Sequence, residues 1–191
     1  MPDIVPSKPD QVAVELARRF DEFGIDYAIG GALAMGLWSE PRATLDVDLT
    51  LFLNPADVGQ VVKVLESLGC VGDFNQVRSS LNELGYGRVS WQNCFVDVFL
   101  PTSEFLWKSK HRRTTVRFGG YDLRFWNAEV MAVLKLMFFR PKDLVDLKKL
   151  VDAQGTSLDR DWVRQNVVEV FGEHDPRTCT WNELCAEGTS A

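Results

Sequence analysis

The sequence predicts an α+β fold, with a sheet domain over residues 1–126 and a helical lobe over residues 127–191 packed on it. Two observations carry this. Up to Trp126, short apolar runs bounded by turn residues interleave with helix-periodic segments, and from Asn127 onward the apolar spacing is helical throughout. A chain of 191 residues can build one substantial core with a small helical appendage, and it contains no internal repeat or low-complexity tract.

Taken in order, Ser7 and Asp10 have capping-box spacing and open an amphipathic helix with Val12, Leu16, Phe20 and Phe23 at helical intervals, stopped by Gly24. Asp26–Ile29 is a short β-like run feeding a Gly30-Gly31 turn, and residues 32–38 read as a helix that ends near Pro41. Residues 45–53 form a strand whose Leu45, Val47 and Leu49 face a core. Asn54-Pro55 starts a helix through Leu68, with Pro55 in the favoured first-turn position. A short helix over residues 76–84 follows. Residues 88–91 and 94–100 are consecutive strands joined by a tight Gln92-Asn93 turn, and residues 114–118 and 121–125 flank Gly119-Gly120 as a second hairpin. The remaining helices are expected near 127–139, 142–153, 158–171 and 177–186.

Composition narrows the function. No run approaches the roughly 18 apolar residues that span a bilayer, so no membrane association is expected. The opening residues lack the basic start and apolar stretch of a signal peptide. Cys70, Cys94, Cys179 and Cys185 have no zinc-site spacing, and a reduced, cytoplasmic protein is the simplest reading. The net charge of −6 argues against a protein that coats nucleic acid everywhere. Residues 101–150 nevertheless carry eleven Lys/Arg against five Asp/Glu, including Lys108, Lys110, His111, Arg112, Arg113 and Arg117 near Phe105 and Trp107. That segment either receives a polyanion such as a single-stranded RNA end or is a solvated charged face.

The chemistry is concentrated elsewhere. Asp46 and Asp48 are two apart in a strand, so both point to one face, about 7 Å apart at Cα. Two such carboxylates repel unless a cation lies between them, and a glycine turn opening a helix is a cradle for phosphate. Asp97, inside the apolar run Phe95–Phe99, is a third carboxylate that metal coordination would explain. Three carboxylates on neighbouring strands can hold two magnesium ions about 4 Å apart. The alternatives are a half-exposed polar face for Asp46 and Asp48, and a solvent-facing edge position for Asp97.

Gly30-Gly31, Asp46-Val47-Asp48 and Asp97, in that order, resemble the pattern of the nucleotidyltransferase superfamily with the DNA polymerase β-like fold. The chain is similar in particular to the AbiEii-like and minimal nucleotidyltransferases of bacterial toxin–antitoxin systems. Lys135-Leu136 and the run Arg140 to Asp146 resemble that group's basic–acidic helical segment, and the match covers about residues 25–150. The resemblance implies a mixed β-sheet flanked by helices and a nucleoside triphosphate (NTP) as substrate. It also implies two Mg2+ ions on Asp46, Asp48 and Asp97, with Asp97 as base for the acceptor hydroxyl. Gly30 and Gly31 would approach the triphosphate, and Lys135 would reach a triphosphate oxygen or the base. Arg42 and Lys142 complete the expected nucleotide set, each with an alternative: a surface arginine, and an intrahelical ion pair with Asp146. For Lys135 the alternative is snorkelling to water. The superfamily turn is commonly Gly-Ser, and Gly31 lacks that hydroxyl.

The leading expectation is a magnesium-dependent nucleotidyltransferase that moves NMP to a tRNA 3′ end or a protein side chain, with a cognate antitoxin as possible partner. The competing expectations are an aminoglycoside-type small-molecule nucleotidyltransferase and a non-catalytic nucleotide- or partner-binding module of the same fold.

Overall fold

The apolar runs become strands of one six-stranded mixed sheet in the computed structural model, which describes residues 8–187. Ser7, expected to cap the first helix, lies outside the described residues. The strands are β1 (Asp26–Ile29), β2 (Asp46–Phe52), β3 (Tyr86–Trp91), β4 (Cys94–Phe99), β5 (Arg113–Phe118) and β6 (Tyr121–Trp126), in the order β3-β4-β2-β1-β6-β5. β1–β2 and β3–β4 are antiparallel, whereas β2–β4 and β1–β6 are parallel. The helices are α1 (Lys8–Glu22), α2 (Gly31–Trp38), α3 (Val58–Ser67), α4 (Phe74–Leu84), α5 (Glu104–Lys108), α6 (Ala128–Phe138), α7 (Pro141–Gln154), α8 (Arg160–Phe171) and α9 (Pro176–Glu187).

The chain divides into two compact units. One comprises the described part of Met1–Leu33 with Ala43–Phe125, and the other Ala34–Arg42 with the described part of Trp126–Ala191. In the first, α1 buries Val12, Leu16, Ala17 and Phe20, and α3 buries Val58, Val61, Val62, Val64 and Leu65. Tyr27, Ile29, Val47, Leu49, Leu51, Val96 and Val98 are buried in the sheet. In the second, α6 packs with α7, α8 and α9 around Trp126, Trp181, Val130, Leu136, Leu147 and Val163. The 34–42 segment joins these helices: the Trp38 indole donates to the Trp126 carbonyl at 2.8 Å, and Gln154 Nε2 donates to the Trp38 carbonyl at 2.6 Å.

Several boundaries move from their expected positions for identifiable reasons. Leu45 lies just before β2 and its side chain is 61% exposed, so it is not a core residue. A 3₁₀ turn over Pro55–Asp57, closed by Asp57 N–H on the Asn54 carbonyl at 2.8 Å, delays α3 to Val58. The helix expected over 76–84 starts at Phe74, because Asp73 accepts hydrogen bonds from the Asn75 and Gln76 amides. β3 begins at Tyr86 rather than Arg88, with Gly87 clearing Val77 and Leu81, which would stand 3.1 and 3.2 Å from a Cβ there. The short helix α5, capped by Ser103, was not legible in the basic segment that contains it.

Much of that basic segment is engaged internally. Lys110 and Arg113 pair with Asp26 at 2.8 and 2.5 Å, Lys108 with Glu104 at 3.0 Å, and Arg117 with Asp122 at 3.0 Å. Arg124 bonds Asp21 and also approaches Asp26 at 3.4 Å. Trp107 packs edge-on against Phe52 at 5.7 Å.

Burial alone would push the Asp26 carboxyl up, but hydrogen bonds and charge from Arg113 and Lys110 outweigh it and lower its pKa to about 2. The stabilisation is therefore complete above the unfolded value of about 3.9 and is lost as pH falls through about 2. Asp26→Asn is expected to lower stability near pH 6 and to flatten the acid loss between about pH 4 and 2. Urea unfolding at a series of pH values measures both.

Candidate functional site

The acidic face is assembled by backbone pairing. β2 and β4 run parallel with Asp48 beside Asp97 and Asp46 beside Phe95. Paired residues of neighbouring strands share a face, so all three carboxylates project to one side. The alternate residues Val47, Leu49, Val96 and Val98 fill the other side and are at most 1% exposed. Asp46 and Asp48 are half-buried, and Asp97 is only 5% exposed in an interior strand, which removes the solvent-facing edge alternative.

The glycine turn is built onto the same strand. The Gly30 amide donates to the Asp48 carbonyl at 2.9 Å. Gly31 opens α2 at φ +57°, and a Cβ there would lie 1.8 Å from Asp48 Oδ2 and 2.4 Å from its Cγ. The Asp48 carboxylate thus stands against the backbone that begins α2, and a helix N-terminus favours anions. A serine at this position would have to displace Asp48, which gives Gly-Gly a steric reason here.

Asp97 is held by residues the sequence reading did not single out. Arg88 Nε donates to Oδ1 and Nη2 to Oδ2, both at 2.6 Å, and the Tyr86 hydroxyl donates to Oδ1 at 2.8 Å. The guanidinium also lies over the Phe95 ring at 4.9 Å. Hydrogen bonding to Asp97 holds Arg88 charged against the opposing effect of burial, and the nearby Asp46 adds to this. Burial and the bond to Asp97 raise the Tyr86 hydroxyl. The signal was available: the two-residue turn at Gln92-Asn93, both at positive φ, registers Arg88 directly opposite Asp97.

Asp46 and Asp48 supply hard oxygen donors on one face and fit magnesium, which uses one or two carboxylates together with substrate phosphates. Asp97 as it stands does not complete a metal cluster, because both its oxygens face a guanidinium. Among the described residues no three His, Cys, Asp or Glu side chains gather closely enough to hold an ion.

The remaining expected nucleotide residues belong to the second unit. Lys135 is 6% exposed, and its Nζ donates to Asp143 Oδ1 at 3.1 Å and Asp146 Oδ2 at 2.6 Å. Arg42 reaches Asp146 at 3.5 Å, and Arg140 Nε reaches Asp143 at 2.6 Å. Burial would raise the Asp143 carboxyl, yet the bonds from Arg140 and Lys135 leave it lowered. Lys142 is exposed, while Asp146, its expected helical partner, turns to Lys135 and Arg42.

No protein-family model matches the sequence, and no curated protein matches it. Solved structures do. ANT(2″)-Ia in complex with adenylyl-2″-tobramycin is 16% identical, with 93% of this chain and 98% of that chain covered and a TM-score of 0.58. An antigenic nucleotidyltransferase-like protein from Paracoccidioides brasiliensis is 18% identical over 91% and 93% of the two chains, at 0.52. The lincosamide antibiotic adenylyltransferase LnuA, bound to lincomycin, is 11% identical over 75% and 96%, at 0.50. The chain has the nucleotidyltransferase-like fold.

Two pairs of substitutions test the local accounts. Gly31→Ala is expected to cost about 1–2 kcal/mol from backbone conformation plus the displacement of Asp48. Gly24→Ala, at φ +67° with open space around it, should cost the backbone part alone. Lys135→Met, which leaves buried Asp143 and Asp146 short of a cation, should cost about 3–5 kcal/mol, while exposed Lys142→Ala stays within about 0.5 kcal/mol. Urea midpoints compare each pair.

Proposed function

We propose that the protein is a magnesium-dependent nucleotidyltransferase that moves a nucleoside monophosphate from an NTP to a hydroxyl of a small polar acceptor. The observation that carries the reading is the Gly30-Gly31 turn bonded to Asp48 on a strand in register with Asp97. It brings a bare helix-opening backbone, a carboxylate pair and a third acid onto one framework. The amides at the start of α2 receive the triphosphate, and Asp46 and Asp48 hold Mg2+. Bound there, the ion would neutralise charge on the α-phosphate and the leaving group. Asp97 orients the acceptor hydroxyl and takes its proton as the oxygen–phosphorus bond forms and pyrophosphate departs. Lys135, with both its neighbours carboxylates, organises α6 and α7 rather than gripping a phosphate.

The acceptor follows from charge. Lys108, Lys110, Arg113, Arg117 and Arg124 are already paired with acids of their own unit, and the chain carries a net −6. This suits a neutral or cationic small molecule better than an RNA end. The molecules bound in the ANT(2″)-Ia and LnuA structures, adenylyl-2″-tobramycin and lincomycin, are likewise small.

Incubation with each α-labelled NTP, Mg2+, total RNA and a cell extract should place label in the small-molecule fraction. Asp48→Asn should lower the yield at least about a hundredfold. Label on tRNA would reassign the acceptor to the RNA end that the toxin-type resemblance implies. No label, with no Mg2+-dependent NTP binding by calorimetry, would overturn the enzyme.

A further inference from the structure

We infer that the Arg88 guanidinium fills the seat of a second cation beside Asp97, so that this site takes one divalent ion, on Asp46 and Asp48 with the nucleotide, instead of two. The inference rests on the nucleotidyl-transfer reading and concerns how that site balances its charge.

A carboxylate offers about four lone-pair positions, and those of Asp97 already accept three hydrogen bonds, two from one guanidinium fork and one from Tyr86. Arginine stays protonated at any working pH, so this cation does not leave by losing its proton. The guanidinium is also fixed from a second direction by the Phe95 ring, and Phe95 is the strand partner of Asp46. Arg88 is thus the resident counter-ion of the acidic face, fixed by hairpin register, ring stacking and a bidentate pair together. A divalent ion on Asp97 would meet that charge at the same oxygens. The remaining capacity of Asp97 is then available to an acceptor hydroxyl. Arg88 and Tyr86 act as positioning residues for it.

The test counts ions and not turnover. The protein is equilibrated by dialysis against Mn2+ and α,β-methylene-ATP, and the excess of each on the protein side is measured. Wild type should retain roughly one Mn2+ per nucleotide, and Arg88→Lys the same. Arg88→Gln, which exposes Asp97 to metal, should retain roughly two, and combining it with Asp97→Asn should return the ratio to one while removing the unpaired buried charge that could unfold the single variant. Two ions per nucleotide in wild type would overturn the inference and leave the transferase reading standing, as would an unchanged ratio of one in a folded Arg88→Gln protein. Retention of neither nucleotide nor metal by wild type would overturn the transferase reading itself and the inference with it.

Discussion

The parallel register of β2 on β4 is the constraint from which the rest of the acidic face follows. It sets Asp48 beside Asp97 and, through the period of two, sends Val47, Leu49, Val96 and Val98 to the opposite side. A slip of one residue would bury a carboxylate where a valine belongs and expose the apolar set, so burial of the apolar side enforces placement of the polar one. The glycine turn is locked to the same strand through the Gly30 amide on the Asp48 carbonyl. Hydrophobic packing on one side of the sheet therefore fixes the spacing of the charges on the other.

Fixing acids close together creates an electrostatic problem that the two units solve differently. In the first, a half-exposed arginine on an adjacent strand neutralises the most buried carboxylate. In the second, a buried lysine is shared between Asp143 and Asp146, with Arg140 and Arg42 completing the balance from outside. The second arrangement leaves Lys135 with two anions at hydrogen-bond distance, and a lysine in that state holds helices together. The first sets a half-exposed cation on one acid of a face that carries two more.

The fold was legible because its strands are short apolar runs with clear turn chemistry. The Gln92-Asn93 and Gly119-Gly120 turns, all at positive φ, give both hairpins away in sequence. The three aspartates were legible because charged residues at period two in apolar strands are conspicuous. What pattern reading missed was what each charge would pair with. Lys135 reads as a lone cation in an apolar helix, and its partners lie on the next helix, beyond any periodicity. Asp26 drew no notice, yet it gathers Lys110, Arg113 and Arg124 from strands and turns distant in sequence. The segment that looked like a basic patch becomes, by tertiary pairing, a way of tying β1 to β5 and β6.

Arg88 marks the boundary of this limit. Its partner could have been read, since a two-residue hairpin turn determines who faces whom. The choice of a cation over a neutral residue sets the charge, and that of arginine over lysine sets its geometry. A lysine would offer one mobile point charge, but the planar fork closes on both oxygens of Asp97 and leaves a face to stack on Phe95. A neutral residue would leave a 5% exposed carboxylate uncompensated, a state that invites another cation. Placing a permanent, oriented cation there turns Asp97 in one direction. The same strand pairing that brings three acids together also brings the cation that sets one of them apart, and on the proposed reading this separates the metal-binding and proton-accepting roles within a single sheet face.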